Sequence, residues 1–294
     1  MPHPTVPRRA LALMLLITLL WGTNWPLFPL AVREVSVWTF RTVALLGSGL
    51  VLLLVARMRG QNLKLARRDR KAVILSAVCY LMVWNIASTY AAVLIPSGQA
   101  AVLGFTMPLW SALITWAVLG EKLGRRMVLA LTLGGAGVAL LMVPSFAAYA
   151  AAPAGFALGL GAGLSWAVGT LILKRANVQA PVLVSTAWQL LLTAIPIGIG
   201  ALILGDGNWF VPSWQSIVVI GWITLVPMCI GNVAWFSIVG MLPANVAGLS
   251  SVMVPVVAMV SGAILRGEPL GPLQLVSMAM CVTGLMLALG GKKK

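Results

Sequence analysis

Apolar residues occur in runs of about twenty along almost the whole chain, and this pattern most restricts the possible fold. Hydrophobic residues make up 61% of the 294 positions and charged residues only 9%, whereas about a quarter of the residues in soluble domains are charged. A soluble protein of this size lacks the interior to bury so much apolar surface. The sequence therefore predicts an all-α integral membrane protein in contact with the lipid bilayer.

Ten membrane-spanning helices are predicted from the lengths of the apolar runs. They lie near residues 10–31, 36–56, 72–94, 97–119, 127–144, 154–173, 182–204, 214–239, 244–265 and 272–290. Short segments rich in glycine, proline or basic residues separate them. None of these segments is long enough for a separate soluble domain.

The basic residues predict how the chain crosses the membrane. If the loops alternate between the two sides, 17 Lys and Arg residues share the side of the termini, and only Arg33 and Arg266 lie opposite. Such an excess marks the cytoplasmic side. We therefore expect a multi-pass protein of the bacterial cytoplasmic (inner) membrane with both termini cytoplasmic. The net charge of +15 fits this pattern better than a nucleic-acid partner.

The two halves of the chain repeat each other at an offset of 147 residues. Pro96, Pro108, Asn85 and Glu121 recur as Pro243, Pro255, Asn232 and Glu268. We predict two repeats, residues 1–147 and 148–294, with five helices each. Because five is odd, the second repeat enters the membrane inverted, and paired inverted repeats are a transporter architecture.

Several motifs resemble the EamA-type unit of the drug/metabolite transporter (DMT) superfamily. They are Pro108 to Gly137 with Leu119-Gly120-Glu121-Lys122-Leu123, Pro255 to Gly284 with Arg266-Gly267-Glu268-Pro269-Leu270, Trp21-Gly22-Thr23-Asn24, and Arg41. Within that superfamily the chain is similar to YddG-type exporters of aromatic amino acids. The resemblance implies a ten-helix basket, in which helices one to four and six to nine surround a central cavity and helices five and ten support it.

Candidate substrate contacts are aromatic and polar residues deep in the predicted spans. They are Trp21, Asn24, Tyr80, Trp84, Asn85, Ser88, Thr106, Trp110, Trp166, Thr170, Gln189, Asn232, Trp235, Ser250 and Ser251. Tyr80, Trp84, Asn85 and Ser88 share one face of the third helix. Two interpretations stay open: the amides contact a substrate, or they bond neighbouring helices. The tryptophans likewise either line a cavity or pack against helices and lipid.

Two prolines and one arginine have further open roles. Pro108 and Pro255 interrupt the fourth and ninth helices, either as hinges or as fixed bends. Arg41 lies inside the second span and either lines the cavity or outer vestibule or extends to the lipid headgroups. The small residues of the fifth helix leave both a monomer and a homodimer open.

Acidic residues are few, and their positions bear on the mechanism. All five, Glu34, Asp69, Glu121, Asp206 and Glu268, lie in loops or at span ends. We therefore expect an uncharged, aromatic-rich cavity and facilitated diffusion, without a carboxylate that relays protons. The sequence predicts alternating-access export of amino acids or related metabolites; export of lipophilic cations is the alternative, and a membrane-embedded enzyme a distant one. Scattered cysteines and a single histidine predict no metal site, and we expect no cofactor.

Overall fold

The computed structural model describes residues 7–120, 122–143, 146–205, 212–242, 247, 251–267 and 270–289. Every regular element in these ranges is helical. The main helices are α1 Arg8–Ala31, α2 Val37–Met58, α3 Arg67–Leu94, α4 Ser97–Ala117, α5 Arg125–Met142, α6 Pro153–Ala176, α7 Val182–Leu204, α8 Trp214–Met241, α9 Val254–Arg266 and α10 Pro272–Leu289. A short helix, Phe146–Ala151, precedes α6.

Within the described ranges, seven helices are long and apolar enough to cross a membrane, namely α1 to α4 and α6 to α8. Two shorter apolar helices, α9 and α10, and the 18-residue α5 occupy the other predicted positions. The all-α membrane fold is therefore confirmed. Part of the predicted span 244–265 falls outside the described residues, and α9 begins only at Val254.

Departures from regular helix recur at the same offset in the two halves. Helices α3 and α8 each contain a π-helical turn, Ala77–Met82 and Thr224–Gly231, which begin 147 residues apart. In α4 the helix stops at Gly104 and restarts at Met107, and α9 begins 147 residues after that restart. Interruptions of this kind are frequent at functional sites in membrane helices.

The structure corrects how the two prolines act. Pro108 and Pro255 are each the second residue of a helix, Met107–Ala117 and Val254–Arg266. A backbone N–H at that position would have no acceptor within the helix. Proline, which lacks this N–H, therefore starts the helix without disturbing it. Neither proline kinks a continuous helix; in α4 the interruption precedes Pro108. A hinge role for either proline stays a prediction.

Helices of one half pack against helices of the other half in a reciprocal way. Helix α1 packs against α8 and α9, and its counterpart α6 packs against α3 and α4. Helices α2 and α7 pack against each other, and so do α5 and α10. This reciprocal pattern is what a twofold relation between repeats requires. The boundary at residues 147 and 148 stays a prediction.

Close approach between α6 and α4 depends on a missing side chain. A Cβ atom on Gly163 would lie 2.7 Å from Thr106 Oγ1 and 2.8 Å from the Gly104 carbonyl oxygen. One turn earlier on α6, a Cβ on Gly159 would lie 2.7 Å from the Leu103 Cβ. Small residues let membrane helices approach closely, and here they bring α6 against the interruption in α4.

Candidate substrate site

Aromatic side chains fill the centre of the molecule around Trp166. The indole of Trp166 on α6 lies 4.1 Å from the Trp84 ring centroid, 5.0 Å from that of Trp21 and 5.2 Å from that of Tyr80. Phe105 and Trp235 follow at 5.5 and 5.4 Å. Several of these pairs are edge-to-face, the arrangement that the ring quadrupoles favour. Rings from both halves therefore form one cluster.

A small cavity lies beside this aromatic cluster. Its volume is about 30 Å³, room for about two water molecules. Seven of the predicted contacts line it: Trp21, Asn24, Tyr80, Trp84, Asn85, Trp166 and Asn232. The described wall residues come from α1, α2, α3, α4, α6 and α8, whereas α5 and α10 lie outside in a second apolar core with Ala130 and Met278. The structure thus places one narrow cavity at the centre of the molecule, with walls from both halves.

The amides of Asn85 and Asn232 have the same geometry in the two halves. Asn85 Nδ2 donates to the Leu81 carbonyl oxygen at 2.7 Å, and Asn232 Nδ2 donates to the Met228 carbonyl oxygen at 2.8 Å. The two acceptor carbonyls belong to the π-helical turns, where carbonyl groups lose their regular partners. Among the described residues, Asn85 Oδ1 and Asn24 Oδ1 are buried without a hydrogen-bond partner. Both atoms are acceptors in the wall of the cavity.

Two indole N–H groups in the cluster differ in their bonding. Trp21 Nε1 donates to the Pro227 carbonyl oxygen across the two halves at 3.2 Å. Gly231 makes room for this ring, because a Cβ there would overlap the Trp21 indole nitrogen. Trp166 Nε1 is buried and has no partner in the part of the chain that the structure describes. It is a donor available to a ligand.

The other predicted contacts lie away from the cavity wall. Trp235 is fully buried and packs on Trp166 and Trp21. Trp110 Nε1 donates to Thr106 Oγ1 at 3.1 Å, so these two side chains bond each other. Ser88, Thr170 and Ser251 are buried but do not line the cavity. Ser250 lies outside the described residues.

Gln189 bonds neighbouring helices. Its Oε1 accepts a hydrogen bond from Ser76 on α3 at 3.2 Å, and its Nε2 donates to the Ser185 carbonyl oxygen at 3.3 Å. This is the usual role of polar side chains between membrane helices. For Gln189, the structure favours the helix-bonding interpretation.

Seven wall residues were not among the candidate contacts, although for Arg41 a place in the wall was one of the two open interpretations. They are Trp25, Phe28, Arg41, Leu81, Phe105, Pro227 and Met228. Trp25 and Phe28 reach the cavity because α1 breaks after Gly22 and restarts as a tight turn, Trp25–Leu27. The paired prolines Pro26 and Pro29 are the sequence signal for that break. Arg41 places a cation in the wall, so the expectation of an uncharged cavity is wrong.

The halves are also joined through the loop between α1 and α2. Glu34 Oε2 accepts a hydrogen bond from the backbone N–H of Ser213 at 2.7 Å. Ser213 is the N-cap of α8, where a carboxylate is favourable because the first N–H groups of a helix are unpaired. This hydrogen bond holds the pKa of Glu34 below its ordinary value of 4.5.

A larger groove of about 500 Å³ lies elsewhere, between α2, α3, α6 and α7. Trp38, Met82 and Pro196 are among its almost entirely apolar lining residues. It offers no polar group to orient a substrate, whereas specific ligand sites combine apolar walls with a few polar groups. The central cavity has that combination, and we take it as the candidate site.

A central cavity between reciprocal halves of a multi-pass helical membrane protein is the arrangement of a transporter. The sequence matches the EamA-like transporter family over residues 8–143 and 153–290. The chain therefore belongs to the EamA-like transporter family of the DMT superfamily and is a transporter rather than an enzyme.

Relatives and a solved structure agree with this assignment. The chain is 26% identical to the "Uncharacterized transporter YvbV" of Bacillus subtilis (strain 168), over 96% of this chain and 92% of the relative. It is 28% identical to the "Threonine/homoserine exporter RhtA" of Escherichia coli (strain K12), over 80% of this chain and 76% of that relative. A crystal structure 19% identical in sequence has the same fold, with a TM-score of 0.76 and coverage of 95% of this chain and 96% of that one.

Proposed function

We propose that this transporter exports amino acids or closely related amphipathic metabolites through its central cavity by alternating access. The single observation that carries the proposal is the composition of the cavity wall. Aromatic rings from both halves surround three asparagine side chains, Asn24, Asn85 and Asn232. Rings suit the apolar part of such a substrate, and amides suit its polar end.

The names of two relatives support this substrate class. RhtA of E. coli is a threonine/homoserine exporter. A Salmonella typhimurium protein that is 27% identical over 67% of this chain is named "Probable amino-acid metabolite efflux pump". The similarity to YddG-type exporters adds an expectation of aromatic substrates. A cavity with this many indoles favours substrates with an apolar side chain.

Transport requires the cavity to widen. Ligand sites generally measure about 300–1,000 Å³, far more than the present cavity of about 30 Å³. The interruptions in α1, α4, α3 and α8 flank the cluster and provide places where helix segments change direction without breaking regular hydrogen bonds. Opening toward one side and then the other would expose the same residues to each compartment in turn.

We further propose facilitated diffusion. Of the five acidic residues, the described ones are Glu34 in a loop and Asp69 in the first turn of α3, neither of them in the cavity wall. Proton-coupled carriers place carboxylates along the pathway. A wall without a described carboxylate favours flux down the substrate gradient alone.

Uptake into liposomes containing the purified protein tests both parts of the proposal. Labelled phenylalanine, tryptophan and threonine are offered with and without a pH gradient, and protein-free liposomes serve as the control. Saturable uptake that is equal under the two conditions is expected. Strict dependence on the pH gradient would overturn facilitated diffusion, and absence of uptake for every amino acid would overturn the substrate class.

Export of lipophilic cations is the competing function, since indole rings also attract cations. Arg41 in the cavity wall argues against it, because a fixed cation repels a cationic substrate. Uptake of a lipophilic dye cation in the same liposomes, without amino acid uptake, would establish that alternative.

A further inference from the structure

We propose that Arg41 binds the carboxylate of the substrate, so that the transported species is an α-amino acid with a free carboxylate. This inference rests on the proposed function and narrows it from amino acids and related metabolites to one chemical class. It follows from the position of the Arg41 guanidinium, from its incomplete bonding and from the polar atoms that share its cavity.

Arg41 is buried inside the helix bundle. It lies one turn into α2 and is 1% exposed, so it does not extend to the lipid headgroups as one sequence interpretation had it. Its guanidinium carbon lies 4.4 Å from the Phe28 ring centroid and 4.8 Å from that of Phe40. Its Nε donates to Thr89 Oγ1 at 2.6 Å. These contacts hold the guanidinium in one orientation at the cavity wall.

The charge of this guanidinium has no compensation among the described residues. Arg41 Nη2 is buried and makes no hydrogen bond within the described ranges. Asp69, at the start of α3, pairs with Arg68 instead, at 3.8 Å. An unpaired buried charge is costly, and arginine in particular presents a planar pair of donors that fits a carboxylate. A substrate carboxylate would supply the missing partner.

Acceptors in the same wall complete the pattern. Asn24 Oδ1 and Asn85 Oδ1 are buried, line the same cavity and have no partner in the described part of the chain. The Nδ2 of Asn85 is engaged with the Leu81 carbonyl oxygen, which leaves its oxygen to the ligand. An ammonium group donates three hydrogen bonds. The charged guanidinium matches a substrate carboxylate, and the neutral amide oxygens match a substrate ammonium group. Together they fit a zwitterion better than a cation.

A purely structural role for Arg41 makes a different prediction. In that case the bond to Thr89 would only hold α2 against α3, and replacing Arg41 would slow transport of every substrate alike. In our account, replacing Arg41 removes the preference for a carboxylate. The ratio between two ligands that differ only at that group therefore separates the two roles.

The experiment compares phenylalanine with phenylalaninamide as competitors of labelled phenylalanine uptake into liposomes. We expect the wild-type protein to favour phenylalanine by at least about tenfold, the range of a charge-assisted hydrogen bond. The Arg41→Gln variant is expected to lose most of this preference, and Arg41→Lys to keep part of it because the charge remains. Lys174→Gln is the matched control, since Lys174 donates to the Val239 carbonyl oxygen outside the cavity wall and its loss should leave the ratio unchanged.

Failure of the inference and failure of the proposed function give different results. Equal competition by the two ligands in the wild-type protein would overturn the role of Arg41 without any variant, so a poorly folded Arg41→Gln protein does not remove the test. An unchanged ratio in Arg41→Gln would overturn it as well. In each of these cases phenylalanine uptake itself still stands. Absence of amino acid uptake by the wild-type protein would instead overturn the proposed function, and this inference with it.

Discussion

Asn85 and Asn232 lie 147 residues apart, and each donates its side-chain amide to the carbonyl oxygen four residues earlier, at 2.7 and 2.8 Å. Each follows a π-helical turn, and both line the central cavity. The same local geometry thus occurs once in each half of the chain. In a transporter of reciprocal halves, such a pair is suited to contact the substrate in either open state.

Replacing either amide should weaken transport while leaving the fold intact. We expect Asn85→Ala and Asn232→Ala each to lower the initial uptake rate in liposomes by about two- to tenfold, the effect of one lost hydrogen bond. Gln179→Ala is the control, because Gln179 is exposed and bonds only the nearby Asn177 carbonyl oxygen among the described groups. Wild-type rates in both asparagine variants would show that these amides do not meet the substrate.

Trp166 should contribute strongly to stability because it touches five other aromatic rings. Trp166→Ala is expected to cost about 3–5 kcal/mol, as for other buried aromatic deletions. Trp116, which is 61% exposed on α4, provides the control, and Trp116→Ala should cost less than about 0.5 kcal/mol. Thermal unfolding in detergent measures both. Similar losses in the two variants would contradict the central packing described here.

Gly163 and Gly161 offer a matched pair on one helix. A methyl group on Gly163 would collide with Thr106 and the Gly104 backbone, whereas no described atom lies within 4 Å of a Cβ on Gly161. Gly163→Ala should therefore destabilise the protein by about 1–3 kcal/mol through overpacking. Gly161→Ala should be neutral or slightly stabilising, since alanine restricts the unfolded chain. Equal melting temperatures for the two variants would mean that α6 and α4 are less close than described.

The Glu34 contact should depend on pH in a defined direction. The Ser213 N–H holds the pKa of Glu34 below 4.5 in the folded protein. Its stabilising effect is therefore present above that value and is lost as the pH falls through the lowered pKa. The melting temperature of the wild-type protein should exceed that of Glu34→Gln near neutral pH and approach it in acid. A difference that does not change with pH would refute this.

Much of the fold could be predicted from the sequence because the bilayer imposes simple requirements. A helix that crosses the membrane needs a continuous apolar run, so the starts of α4, α7, α8 and α10 coincide with the predicted residues 97, 182, 214 and 272. The 147-residue offset likewise reappears in the π-helical turns of α3 and α8. These features are local or periodic, and a single sequence contains them.

The site could be predicted only in part, because the helix interruptions decide which side chains face the cavity. Trp84 and Asn85 were found from their shared face, but Ser88, one turn farther along, lies beyond the cavity. Trp25 and Phe28 were missed because the break in α1 turns them inward, and 3.6-residue periodicity does not extend across such a break. Whether Arg41 faces the cavity or the headgroups depends on its contact with Thr89, 48 residues away.

The most direct test of transport through the central cavity is labelling of a single cysteine from each side of the membrane. Asn232→Cys would be introduced after replacing Cys79, Cys229 and Cys281 by alanine, and sealed liposomes would receive an impermeant thiol reagent inside or outside. Ala130→Cys, fully buried between α5 and α10, is the control that should not react. We predict that Asn232→Cys reacts from both sides and that a transported amino acid protects it. Reaction from one side only, or equal reaction with saturating substrate, would contradict alternating access at this cavity.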